Sequence, residues 1–309
     1  MIINTGARTD IPAFFSEWLC NRLQAGFVCV RNPYYPEQVT RYQLKPDVVD
    51  CILFCTKNPR PLLSHLQKLE DFGVYFFVTI TPYGADVEPQ VPPVNQVIAD
   101  FQKLSVALGR EKVCWRYDPI YLSRFWTIDR HLKVFADMAK RLSGYTEECV
   151  ISFIDLYEKT KRNFPEAREL SASEQIELAK GLAKISATYH IAIKTCAETQ
   201  DLHAYGIRQV GCITKSVLEK ACGITLKSMP YKPSRPSCGC SVPSHDIGAY
   251  NTCPHGCLYC YANEKQKLVE KNVKQHNPHS PLLIGEITEA DIVRDARQES
   301  YRDAQLVLF

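Results

Sequence analysis

The chain has 309 residues, 45% hydrophobic and 23% charged, and its 37 basic and 34 acidic side chains leave a formal charge of +3. That length suits one α/β barrel or a moderate domain with an appendage, and the composition excludes a disordered or collagen-like chain. The charge is too balanced to mark a nucleic-acid surface, and no stretch reaches the roughly 18 apolar residues of a membrane span. The opening residues Met1 to Gly6 carry no basic run ahead of an apolar one, so the expected compartment is the cytoplasm.

Short apolar, β-branched runs alternate with segments of helical period, as in strand–helix units around a parallel sheet. In chain order the predicted strands are residues 2–5, 27–30, 48–55, 74–80, 112–117, 148–154, 190–195 and 209–213. Apolar residues three or four apart predict helix faces at Leu62, Leu66 and Leu69, at Val94, Val97, Ile98, Phe101 and Leu104, and at Leu132, Phe135, Met138 and Leu142. Ile176, Ala179, Leu182 and Ala183 repeat the pattern, and Ser171 to Ser173 ahead of Glu174 reads as a helix start. The turn-rich Asn32-Pro33-Tyr34-Tyr35-Pro36 is expected to join two short antiparallel strands.

About eight strands with intervening helices predict an α/β fold with a TIM-like (β/α) barrel, complete or partial, over residues 1–215. After Ile213 the repeat fades, and Pro230, Pro233, Pro236 and Pro243 sit among cysteines. Residues 216–309 are expected to form a C-terminal cysteine-rich, cluster-binding region packed on the barrel, with a last strand at 246–251 and a polar helix at about 262–275.

Of fourteen cysteines, Cys222, Cys238, Cys240, Cys253, Cys257 and Cys260 crowd one stretch, which in a cytosolic chain suggests metal rather than disulfides. The densest part is Thr252-Cys253-Pro254-His255-Gly256-Cys257-Leu258-Tyr259-Cys260-Tyr261. Soft sulfur donors select iron–sulfur clusters, zinc or Cu(I), and Pro254 and Gly256 supply the tight backbone a short wrapping loop needs. Cys238, Cys240, His245 or His255 would close such a site if it is a four-donor electron-transfer cluster or a zinc site.

The spacing of Cys253, Cys257 and Cys260 resembles the signature loop of radical S-adenosylmethionine enzymes. The resemblance implies that the three cysteines hold three irons of a 4Fe-4S cluster. The fourth iron would chelate S-adenosylmethionine, whose sulfonium bond is cleaved reductively to a 5′-deoxyadenosyl radical. It also implies an aromatic side chain against the adenine, matched by Tyr259, further cofactor contacts from Tyr261, Asn263 and Asp118, an electron donor such as flavodoxin or ferredoxin, and a substrate of unknown identity, a small molecule or another. Here the signature lies near the C-terminus, whereas the family usually carries it at the start of the barrel.

Arg8-Thr9-Asp10-Ile11-Pro12, Thr56-Lys57-Asn58-Pro59, Trp115 to Ile120 and Asp246 to Cys253 are more closely similar to an uncharacterised bacterial family, a domain of unknown function with a radical-type cysteine cluster at its C-terminus. Tyr259-Cys260-Tyr261 with Thr56-Lys57 resembles the spore photoproduct lyase group more weakly. That likeness would imply a nucleic-acid substrate, which the net charge does not support.

Polar residues end the predicted strands, where parallel barrels carry their reacting groups. Thr56, Lys57 and Asn58 follow one strand, Thr81 and Tyr83 another, and Arg116 with Asp118, then Asp155, then Lys194, Cys196 and Glu198 close three more. Arg116, Lys57 and Glu198 are the candidates for carboxylate, ribose or amino contacts. The acidic loop with Asp86 and Glu88 reads as solvent-facing, and Arg8 and Asp10 as structural salt-bridge partners. Cys51, Cys55, Cys114 and Cys149 read as core packing. Cys196, Cys212, Cys238 and Cys240 form a second candidate metal site, for an Fe-S cluster or zinc, or are unliganded thiols. The alternative functions are a non-catalytic 4Fe-4S electron carrier and a zinc-stapled binding module.

Overall fold

The computed structural model describes residues 1–229, 231–233 and 237–303, so Pro230 and Pro236 of the proline-rich stretch lie outside the described residues. In chain order the strands are β1 (Ile2–Asn4), β2 (Phe27–Arg31), β3 (Gln38–Gln43), β4 (Cys51–Thr56), β5 (Val74–Thr79), β6 (Val113–Ile120), β7 (Glu148–Phe153), β8 (Ala192–Thr195), β9 (Arg208–Gln209), β10 (Ser244–Asp246) and β11 (Ile292–Asp295). The main sheet has the order β10-β1-β4-β5-β6-β7-β8-β9, and every pair in it is parallel.

Alternating side chains explain why this sheet is buried on both faces, as parallel sheets are. Ile52, Phe54, Phe76, Val78, Trp115, Tyr117 and Ile151 pack into one core with Trp18, Phe101, Phe135 and Leu178 of the crossover helices. Cys51, Leu53, Tyr75, Phe77, Cys114 and Val150 pack into another with Leu218 and Ala221. Those last two belong to the helix Lys215–Cys222, which covers the second face.

Two expectations change. The predicted strand at 27–30 is not in the main sheet: β2 pairs antiparallel with β3 across the Asn32–Pro36 turn, and β11 adds to β3 in parallel. The eighth main-sheet strand is β10, from the region after residue 216, two residues earlier than the predicted 246–251. The sheet's two ends approach one another. Ser241 N–H donates to Ile213 O at 3.0 Å, yet among the described residues no ladder joins β9 to β10.

The helix start at Ser171 is a capping box, with Ser171 and Glu174 each accepting from the other's backbone N–H. Leu62, Leu66 and Leu69 fall on two short pieces, Arg60–Leu63 and the 3-10 turn Leu66–Leu69, and the polar helix is shorter than predicted, Gln266–Val273. The chain then returns to its first helices: Trp18 Nε1 donates to Ser280 O (2.9 Å) and Leu282 O (3.1 Å). Among the described residues no helix is long and apolar enough to cross a membrane.

Candidate functional site

The cysteine loop is fastened to the segment after β5 by two backbone bonds. Gln90 N–H donates to His255 O, and Leu258 N–H donates to Val87 O, each at 3.0 Å. Within the loop Cys260 N–H closes on Cys257 O at 3.1 Å, and Gly256 has φ +71°, a left-handed turn that favours glycine. Asn263 Nδ2 donates to Cys253 O at 2.7 Å, while its Oδ1 is buried without a hydrogen-bond partner. Lys159 Nζ donates to the carbonyls of Tyr261 and Asn263, and Tyr261 OH donates to Ala7 O.

His255 is buried, with Nε2 2.8 Å from Asp10 Oδ2 and Nδ1 3.3 Å from Gln90 O. Both ring nitrogens are therefore engaged, and Asp10 also accepts from Lys57 N–H at 2.8 Å. Asp10 thus orients the loop through His255, while Arg8 pairs with Asp246 at 2.8 Å instead of with its sequence neighbour.

At the mouth of the sheet Glu88 is 2% exposed, contrary to the expectation for its loop; Asp86, two residues earlier, is exposed as expected. The chain turns inward at Val87, which joins Tyr83, Leu258 and Tyr259 in an apolar cluster, and this brings the next carboxylate over the strand ends. Glu88 Oε1 accepts from Lys57 Nζ (2.9 Å), Thr81 Oγ1 (2.7 Å) and Tyr259 OH. Lys57 Nζ also lies 5.7 Å above the centre of the Tyr259 ring. Burial opposes the Lys57 charge, but Glu88, Cys257 and Asp118 outweigh it and hold the ammonium above its usual range. Sequence reasoning missed Glu88; the apolar Val87 beside it was the available signal.

On the other side, Arg116 Nη2 donates to Asp118 Oδ2 at 2.6 Å, and Ser152 Oγ donates to Asp118 Oδ1. Arg116 Nε is buried without a hydrogen-bond partner. Glu198 accepts from Phe153 N–H at 2.8 Å, so its carboxylate caps the end of β7. Below Arg116, Cys196 Sγ is 3.5 Å from Cys212 Sγ, which is 3.7 Å from Cys240 Sγ.

The predicted site residues thus fall into neighbouring groups. Lys57, Tyr259 and Cys257 meet around Glu88; Arg116 and Asp118 lie beside the other thiols; Tyr261 and Asn263 secure the loop; Glu198 is tied to the backbone. Among the described residues no group of three or more His, Cys, Asp or Glu side chains stands ready-placed to hold a metal ion.

The donor chemistry of the loop nevertheless fits a thiolate-held group. Burial raises the thiol of Cys253 and pushes Cys257 up to about 12, with Lys57 pulling Cys257 the other way. Such thiols lose their protons to a bound cation and not to solvent.

A family model described as a domain of unknown function (DUF1848) matches residues 2–262. The chain belongs to the DUF1848 family. The DUF1848 match ends two residues after Cys260, so it takes in both thiol groups and the Glu88 hub. No curated protein and no solved structure matches the chain.

Proposed function

We propose that this DUF1848 protein is an iron–sulfur radical S-adenosylmethionine enzyme of the cytosol, built on a TIM-like barrel whose two sheet edges close through the segments around Ile213 and Ser241. The observation that carries this reading is the placement of Cys253, Cys257 and Cys260. They come from the far end of the chain, yet their loop is fastened over the C-terminal ends of parallel strands, the side on which such folds do chemistry. Cys253, Cys257 and Cys260 would hold a 4Fe-4S cluster that, when loaded, supplies reductive cleavage of S-adenosylmethionine.

This chain's residues do the remaining work. Lys57 and Arg116 bring two fixed positive charges to the mouth, suited to the carboxylate of S-adenosylmethionine, and Glu88 and Asp118 hold them in place. Tyr259 would stand against the adenine, as the resemblance implies, and Asn263 keeps the loop closed on Cys253. Asp118, Tyr261 and Glu198 line or brace the same opening, and a flavodoxin or ferredoxin would deliver the electron.

An electron carrier or zinc-stapled module needs a fourth protein donor at the loop. His255, the donor within it, has both nitrogens committed to Asp10 and Gln90, which favours the enzyme reading.

The test is anaerobic reconstitution with iron and sulfide, reduction, and addition of S-adenosylmethionine. Expected are about four irons per chain, a cluster spectrum that changes with S-adenosylmethionine, and 5′-deoxyadenosine by mass spectrometry, all lost in the C253A/C257A/C260A variant. An unchanged spectrum together with no product above that control defeats the reading.

A further inference from the structure

We propose that Cys196, Cys212 and Cys240, with Cys238 as fourth donor, form a zinc site that ties together the two edges of the main sheet. The three thiols come from three places: just after β8, just after β9 and just before β10. Their sulfurs lie at 3.5 Å and 3.7 Å along the row. Zinc–sulfur bonds of about 2.3 Å in a tetrahedron put neighbouring sulfurs about 3.8 Å apart. Thiolates on different corners of a cubane cluster stand much farther apart, so the spacing selects a single ion over a second cluster. Zinc binding would require the third sulfur–sulfur edge to close as well, through a change of χ1 rotamer at Cys196 or Cys240.

The backbone is shaped for this approach. A Cβ on Gly211 would meet Cys240 N at 2.1 Å, and one on Gly239 would meet Gly211 N at 2.6 Å. Only glycine at both positions lets the two segments lie close enough to bring Cys212 to Cys240. Ile213 N–H points at Cys240 Sγ, 3.4 Å away, a donor that suits a thiolate. Cys238 is separated from Cys240 only by Gly239, which puts a fourth thiol next to the row in sequence. Binding displaces thiol protons to solvent and changes no oxidation state, so no oxidant or reductant is required.

The site is independent of the 253–260 loop, which allows a separate test. The full-length C253A/C257A/C260A variant, purified and incubated with zinc, is expected to keep about one zinc per chain after desalting. In wild-type protein, zinc is expected to shield Cys196, Cys212, Cys238 and Cys240 from alkylation, read peptide by peptide, which requires no further variant to fold. Cobalt in place of zinc should give the intense thiolate-to-cobalt absorption, diminished in C212S. Zinc at background in the loop variant, shielding confined to Cys253, Cys257 and Cys260, or a Cys196–Cys212 disulfide in anaerobically purified protein would each overturn the site. Absence of 5′-deoxyadenosine would leave it standing.

Discussion

Glu88 Oε1 collects three donors, from Lys57, Thr81 and Tyr259, and only the first carries the opposite charge. Lys57→Met leaves a buried carboxylate with hydroxyl partners alone. Its expected cost is about 3–5 kcal/mol in urea unfolding of the metal-free protein, whereas the Lys57→Met, Glu88→Gln pair costs far less because no charge is then stranded. Equal losses in the single and double variants would show that the ion pair does not hold the mouth together. Arg116 differs, since Asp118 occupies one nitrogen while Nε is without a partner. Arg116→Ala is expected to weaken S-adenosylmethionine binding by ten- to a hundredfold, roughly one charge-assisted hydrogen bond, measured by calorimetry on the reconstituted protein. Unchanged affinity would remove Arg116 from the cofactor site.

Among the elements, the helix Ile128–Leu142 carries a titratable group into the core. His131 is fully buried, its Nδ1 2.8 Å from Tyr117 OH and its Nε2 2.8 Å from Tyr121 O. A neutral ring satisfies both, accepting from the tyrosine and donating to the carbonyl. Burial lowers its pKa from 6.5 to about 4. Below pH 6.5 the unfolded chain takes up a proton that the folded chain refuses, so stability present above that pH is lost as pH falls toward 4. The loss is on the order of 3 kcal/mol, read as the pH dependence of urea unfolding, and His131→Gln should flatten it. A parallel slope in that variant would assign the acid sensitivity elsewhere. The helix Ala172–Thr188 depends on its start: Ser171→Ala removes the cap and is expected to cost about 1 kcal/mol.

At the scale of the molecule, the stretch past residue 262 is structural. Trp18 is buried beneath the carbonyls of Ser280 and Leu282, and β11 extends the small sheet. A chain ending at residue 262 is therefore expected to expose Trp18, Cys29 and Val39 and to aggregate or melt well below the full-length protein. A soluble truncation with unchanged melting would refute that dependence.

The parallel α/β character, seven strands of the main sheet and the capped helix at Ser171 were legible in the sequence, because period and capping are local properties. The hairpin at Asn32–Pro36 was legible for the same reason, but its separation from the main sheet was not. Only tertiary structure decided that β10 pairs with β1, that Asp10 meets His255 across 245 residues, that Glu88 lies inside, and that Cys196, Cys212 and Cys240 stand in one row. Each of these depends on which strand ends are brought together by packing two apolar faces of one sheet, and no local pattern encodes such long-range neighbours.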